Sequence, residues 1–361
     1  MRLVAFRKRL IEYRKRKENN SMNIGILGAG RIAAQMADTI NCMEGMKAYA
    51  IASRQLEKAV RFAKENHVEK AYGTYEEMLK DKEVDLVYIA TPHALHFAHG
   101  KLCVEQHKPF LCEKPFAVNV AQAEELMNYA KKNGIFCTEA LWTRYMPSCK
   151  MLKEIIRSGE IGEVLYLTAN LGYALPQKGR LVQPELAGGA LLDMGVYTLH
   201  FAASVLEGEW KEMTSVCKRS ETGVDIQDAI ITVSEDGKMA ILHTTMLGDT
   251  EQQGIIYGTK GYIIAHHINN IQELEIVYHG KKERARISMP EQISGYEYEL
   301  LACKKALEGK QIECEELPHQ ETVRVIRWMD RLREEWGVRY PFEKQEINHN
   351  CSAYDHAVSM C

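Results

Sequence analysis

The sequence predicts an α/β protein: an N-terminal Rossmann domain built on a parallel sheet, followed by a C-terminal α+β domain with a large, mostly antiparallel sheet. Three observations point there. The chain has 361 residues, more than a single hydrophobic core usually supports. From Met22 to about Glu139, short apolar runs alternate with helical patterns, as parallel strands with crossover helices require. Beyond Val164 the runs become longer and alternate in polarity, the pattern of antiparallel strands with one covered face.

The first element sets the rest. Asn23 to Leu27 reads as a strand that enters the glycine turn Gly28-Ala29-Gly30, and Arg31-Ile32-Ala33 opens a helix, giving the spacing G-x-G-x-x-A. Gly28 permits the tight turn, Gly30 lets backbone approach a pyrophosphate, and Ala33 lets the helix lie close on its strand. Free N–H groups at the helix start, those of Arg31 and Ile32 among them, then face the anion. The next strand, Ala48 to Ala52, ends at Ser53-Arg54 rather than at an acid. An acid there would hold a ribose 2′-hydroxyl, whereas a hydroxyl beside a guanidinium suits a 2′-phosphate. NADP is therefore expected over NAD; the plain alternative is that Arg54 is a solvated residue at a helix start.

A helix to Asn66 leads through Ala71-Tyr72 and the stretch Tyr75 to Leu79 to the buried strand Asp85 to Ala90, which ends in Thr91-Pro92-His93. Ligands bind beyond such strand ends in open parallel sheets, so Thr91, Pro92, His93 and His96 are candidate cofactor neighbours. The strand Pro109 to Cys112 ends likewise in Glu113-Lys114-Pro115. Asn119 is placed to cap a helix closed by Gly134, and the strand Ile135 to Glu139 completes a domain spanning 22–142. The second domain, 143–343, starts at a helix from Pro147 to Ser158 and continues with strands at 164–173, 213–218, 229–234, 239–246, 254–257 and 274–278. Helices near 296–307 and 321–336 close it.

Residues 1–21 stand apart. They hold 8 of the 46 basic residues and 2 of the 49 acidic ones, leaving 38 basic and 47 acidic residues, about −9, for the remainder. They read as a basic extension outside the fold, through a start codon placed too early, a targeting peptide or a basic arm; the first fits best, because the fold signal begins at Met22. Residues 344–361 form a polar tail. The whole-chain charge of −3 gives no nucleic-acid footprint, and no apolar run has the length of a membrane span. The expected partner is a small molecule. Ten cysteines without a C-x-x-C pair read as reduced thiols of a cytoplasmic protein, with no metal expected.

Chemistry at an alcohol carbon needs a proton carrier and a cation to steady the oxyanion. Lys114, at a strand end, is either that cation or a solvated loop residue. Asp193 and Tyr197, four apart after the pair Gly188-Gly189, share a face if the segment is helical; the alternative is an ordinary helix with a buried tyrosine. A neighbouring ammonium is expected to lower the phenol's pKa. His200 is a reserve base or a packed helix residue, and His93, His96 and His99 drift around a helix too far for metal ligation.

Glu113-Lys114-Pro115 taken with Gly189-Ala190-Leu191-Leu192-Asp193-Met194-Gly195-Val196-Tyr197 resembles the Gfo/Idh/MocA family over about 22–342. Leu111 to Pro115 followed by Leu141-Trp142-Thr143-Arg144-Tyr145 is most similar to the branch that holds dimeric trans-dihydrodiol dehydrogenase and NADP-dependent D-xylose dehydrogenases. The resemblance implies that Lys114 lies between nicotinamide and substrate, that Asp193 touches substrate, that Tyr197 is the acid/base, and that Trp142 and Arg144 line the active site. It also implies a homodimer through the C-terminal sheet. Inositol dehydrogenases carry histidine where Tyr197 stands, so this chain departs from them. The expectation is an NADP(H)-dependent oxidoreductase for a sugar, cyclic polyol or trans-dihydrodiol; a non-catalytic NAD(P)-binding regulator and an NAD-dependent redox-assisted glycosidase are the alternatives. The Lys114–Pro115 bond is a candidate cis peptide.

Overall fold

The computed structural model describes residues 21–175, 179–206 and 208–344. The basic extension and the polar tail lie outside them, apart from Ser21 and Lys344 at their margins. Eleven elements build the first layer: β1 (Met22–Leu27), α1 (Arg31–Asn41), β2 (Met46–Ala52), α2 (Leu56–Glu65), β3 (Lys70–Tyr72), α3 (Tyr75–Leu79), β4 (Leu86–Ile89), α4 (His96–Glu105), β5 (Phe110–Glu113), α5 (Val120–Lys132) and β6 (Cys137–Ala140). The strands pair in parallel in the order β3-β2-β1-β4-β5-β6. Helices cover both faces, so β4 is apolar throughout and its four residues have no exposed surface. The order reverses between β1 and β4, which opens a crevice beyond their carboxyl ends. Local signals act as the sequence indicates: the Asn119 side chain accepts the Gln122 N–H at 2.9 Å to cap α5, and Gly134 stops it at φ +66°.

After α6 (Pro147–Arg157), β7 (Val164–Gly172) and α7 (Val196–Val205) come β8 (Trp210–Arg219), β9 (Asp225–Ser234), β10 (Met239–Thr245), β11 (Gly254–Gly258), β12 (Gly261–Ala265), β13 (Glu273–Tyr278) and β14 (Arg284–Ser288). α8 (Glu297–Glu308) and α9 (His319–Trp336) end the described chain. The eight strands run β14-β13-β12-β11-β7-β10-β9-β8, antiparallel except for the β7–β10 pair. Three strands escape the sequence reading. β3 is three residues long, β12 is a five-residue segment starting in glycine, and β14 is an edge strand with Arg284, Arg286 and Ser288 exposed. Such segments take their strand geometry from the neighbour they bond, not from their own pattern.

α7 is buried nearly all round, with Thr198, Leu199 and His200 each at most 1% exposed. It is wedged between the second sheet and α9 and starts beside the crevice of the first sheet. The polarity pattern of an amphipathic helix is therefore absent from it.

Candidate active site

The glycine turn fits a dinucleotide. Gly28 sits at φ +98°, and a side chain there would bring its Cβ to 2.8 Å of the Ala90 carbonyl oxygen. Gly30 faces open space, with nothing within 4 Å of where a Cβ would stand. It begins α1 without a side-chain cap, and no acid occupies the first turn, so the N–H groups of Arg31 and Ile32 are presented to an anion. Ser53 is buried at the end of β2, and Arg54 is exposed beside a cavity of about 650 Å³ that is also lined by Thr74, Tyr75, Leu95 and His99. The cavity lies beside the basic residue that follows β2, where the ribose end of a dinucleotide fits.

Three histidines after β4 take three different partners. His93 Nδ1 lies 3.1 Å from the Ala187 carbonyl oxygen, and His99 Nδ1 lies 2.9 Å from Thr91 Oγ1. His96 is fully buried, its two ring nitrogens each 2.8 Å from a carbonyl oxygen, one of Pro115 and one of Thr91. His96 thus ties the loop after β4 to the loop after β5. Burial, with Arg180 next, pushes the His93 pKa well down, and burial with His96 and Arg54 brings His99 to about 3.

Lys114 leaves the end of β5 through a cis bond to Pro115. Its ammonium donates to the Asp193 carbonyl oxygen at 2.5 Å, stands 3.4 Å from Asp193 Oδ1, and lies 5.1 Å from the centroid of the Tyr197 ring. Arg180 Nη2 reaches the same Oδ1 at 3.1 Å and His93 Nε2 lies 3.8 Å from it. Burial opposes the charge on Asp193, yet Lys114, then Arg180 and His93, hold its carboxyl below the usual range. Behind Lys114, Tyr88 Oη donates a short hydrogen bond to Glu113 Oε1, and burial pushes the Glu113 carboxyl up.

Two expectations need correction. Asp193 and Tyr197 do not stand on one continuous α-helix: Leu191–Gly195 is a π-turn, and α7 starts only at Val196. The wider turn is where the Asp193 carbonyl faces Lys114. Nor is the phenol's pKa lowered. Burial, with the Glu113 charge next, raises it well above its ordinary value, because the ammonium lies over the ring and is committed to Asp193.

Trp142 is buried and stacked on Tyr296, ring centroids 4.5 Å apart, and its indole N–H faces the Tyr197 hydroxyl. Arg144 is 6% exposed and turns to Glu321 of α9 at 3.5 Å, not to the Lys114 cluster. His200 is packed 3.6 Å from Glu139 in the interior. The sequence reading missed Arg180, which lies 13 residues before Asp193 in the short 3-10 turn Gly179–Val182, and Tyr296, which follows the last strand. Nothing periodic marks either one.

Comparison with known proteins agrees with this geometry. Residues 22–140 match the GFO/IDH/MocA oxidoreductase family with an NAD-binding Rossmann fold, and residues 149–264 match the GFO/IDH/MocA C-terminal domain. The chain is 33% identical over 326 residues to a trans-1,2-dihydrobenzene-1,2-diol dehydrogenase of Xenopus tropicalis, covering 88% of this chain and 98% of that protein. A protein of the same name from Mus musculus is 29% identical over 338 residues, 89% of this chain and 98% of its own. Among solved structures, an aldose–aldose oxidoreductase from Caulobacter crescentus superposes with a TM-score of 0.80 at 19% identity, covering 88% and 98% of the two chains. A 3-ketoreductase from Actinomadura kijaniata, in complex with NADP and TDP-benzene, gives 0.79 at 22% identity, covering 87% and 98%. The chain belongs to the Gfo/Idh/MocA oxidoreductase family and is an NAD(P)-dependent dehydrogenase or reductase.

Proposed function

We propose that this enzyme uses NADP(H) to interconvert a hydroxyl and a carbonyl on a sugar, a cyclic polyol or a trans-dihydrodiol. The observation that carries the reading is the meeting of Lys114 with Asp193 and Tyr197 beyond the carboxyl ends of the parallel strands. Gly28, Gly30, Arg31 and Ile32 would hold the pyrophosphate, Ser53 and Arg54 the 2′-phosphate, and Thr91, Pro92 and His93 the edge toward the ring. When bound, the nicotinamide takes or returns a hydride at the substrate carbon.

The chain's own groups handle the proton. Tyr197 is partly exposed and holds its phenolic proton firmly, so it is a donor to a carbonyl oxygen in the reducing direction. Lys114 brings a positive charge to the same place, where it steadies the oxyanion. Asp193, kept ionised, orients Lys114. Glu113 sets the backbone of the lysine by accepting its N–H at 3.2 Å. Trp142 and Arg144 are proposed to shape the substrate side, Trp142 with its indole N–H toward Tyr197 and Arg144 from behind.

Residues 22–142 are proposed as the cofactor lobe and 143–343 as the substrate and dimerisation lobe of a cytoplasmic homodimer. The open face of the second sheet supports the dimer. Val216, Ile231, Met239 and Ile241 stand there 41–68% exposed, with Ile231 and Ile241 directly paired, and Tyr166 stacked on Tyr257 at 4.3 Å. An apolar stripe across an otherwise solvent-facing sheet is the mark of a covered surface. No helix among the described residues is long and apolar enough to cross a membrane. The direct test incubates the protein with pentoses, hexoses, deoxyhexosuloses and cyclic diols together with each coenzyme. Stoichiometric NADPH formation from a diol or sugar supports the reading; a protein that binds NADPH but turns over nothing would be a regulator instead.

A further inference from the structure

We propose that Asp225 is a positioning residue for the reaction: its buried side chain fixes the Gly189–Leu191 turn from which Asp193 and Tyr197 are presented. The inference rests on the roles given to those two residues above. Asp225 is the first residue of β9, on the far side of the turn from Lys114, and it has no exposed surface. Its Oδ2 accepts the Leu191 N–H at 2.6 Å, at the first residue of the π-turn. Its Oδ1 has no hydrogen-bond partner among the described residues and faces Gly189, so closely that a Cβ at 189 would collide with it. Gly189 lies at φ +133°, open to glycine alone. On the other side of the turn, Tyr340 Oη donates to the Gly188 carbonyl oxygen at 2.8 Å, and a Cβ at Gly188 would meet the Arg180 and Leu181 carbonyl oxygens at 2.6 Å. The two glycines are thus explained: Gly189 makes room for the Asp225 carboxylate, and Gly188 for the backbone of Arg180 and Leu181.

No ion pair among the described residues holds the charge of this carboxylate. Asp228 shares its strand, Cys217 and Arg219 face it from β8, and Arg333 and Tyr340 face it from α9 and the segment beyond, yet Asp225 makes no salt bridge among the described residues. Arg333 is committed to Asp330 and Glu343. Burial raises the Asp225 carboxyl to about 6. A folded-state pKa above the unfolded value means that the native state loses stability as pH rises through about 6, because the charge has to be held in the interior. Ionising the group costs the fold at neutral pH while its geometry serves the turn, a trade found at functional sites.

The test is Asp225→Asn, which keeps shape and removes charge. The expected result is a fall in kcat of about tenfold or more, with NADPH Kd within about threefold of wild type and a thermal midpoint at pH 8 equal to or above it. Hydrogen exchange of amides 189–197 should quicken by about tenfold. A kcat within threefold with unchanged exchange overturns the proposal, as does a kcat loss matched by a lower thermal midpoint. Gly189→Ala pushes on the same carboxylate from the other side and should reproduce the kcat loss if the asparagine variant does not fold. If the wild type turns over nothing on the substrate panel, the functional reading fails while the exchange measurement still decides this one.

Discussion

Tyr197 keeps its proton because burial and the Glu113 charge both disfavour the phenolate. Replacing it with Phe removes that proton and little else, so kcat should fall by about a hundredfold or more with NADPH affinity unchanged, as read by steady-state kinetics and fluorescence titration. An undiminished rate would reassign the acid. Arg54 is the residue proposed for the other end of the cofactor. Arg54→Ala should weaken NADPH by about ten- to a hundredfold and NADH hardly at all, since a charge-assisted hydrogen bond contributes about 1.5–3 kcal/mol; equal losses for both coenzymes would argue against a phosphate contact. His99 sets a pH dependence of stability. Its folded pKa of about 3 lies below the unfolded value near 6.5, so the unfolded chain binds a proton that the folded one refuses. Stability should therefore decline as pH drops from about 6.5 toward 3, and His99→Gln should flatten that decline by up to one proton, about 1.4 kcal/mol per pH unit, in urea unfolding at pH 7.5 and 5.

Elements are placed by caps and by neighbours in different proportions. α5 starts on a local cap, the Asn119 side chain accepting the Gln122 N–H, to which α9 adds one distant contact, the Val120 N–H donating to Asp330 Oδ2 at 2.7 Å. Asn119→Ala should lower the unfolding free energy by about 1 kcal/mol and leave the kinetics alone, since α5 runs behind the site. The segment carrying Asp193 and Tyr197 is the opposite case. Its π-turn depends on Asp225 and Tyr340, residues 34 and 152 positions from the backbone groups they hold. Local propensity sees only an apolar stretch after two glycines and reads a regular helix there.

For the whole molecule, the two sheets do different work. The parallel one is covered by helices on both faces and offers its strand ends to the cofactor. The eight-stranded one packs α7 against one face and leaves the other open with its apolar stripe. Ile241→Glu places a charge at the middle of that stripe, and a homodimer built on it should dissociate to monomer in sedimentation velocity. A sedimentation coefficient equal to that of wild type would remove the sheet face as the contact.

The sequence alone was enough to specify the Rossmann half apart from β3, because its turn glycines, capping asparagine and buried strand runs act through neighbours within a few residues. It also marked Lys114, Asp193 and Tyr197, whose motifs are contiguous. What depended on contacts across the chain stayed hidden: the short and edge strands β3, β12 and β14, the arginine at 180, the inward turn of Arg144 toward Glu321, and the phenol's raised pKa. Each of these is set by which groups the folded backbone brings within a few ångströms and how much water it removes from them, and linear order carries no record of either.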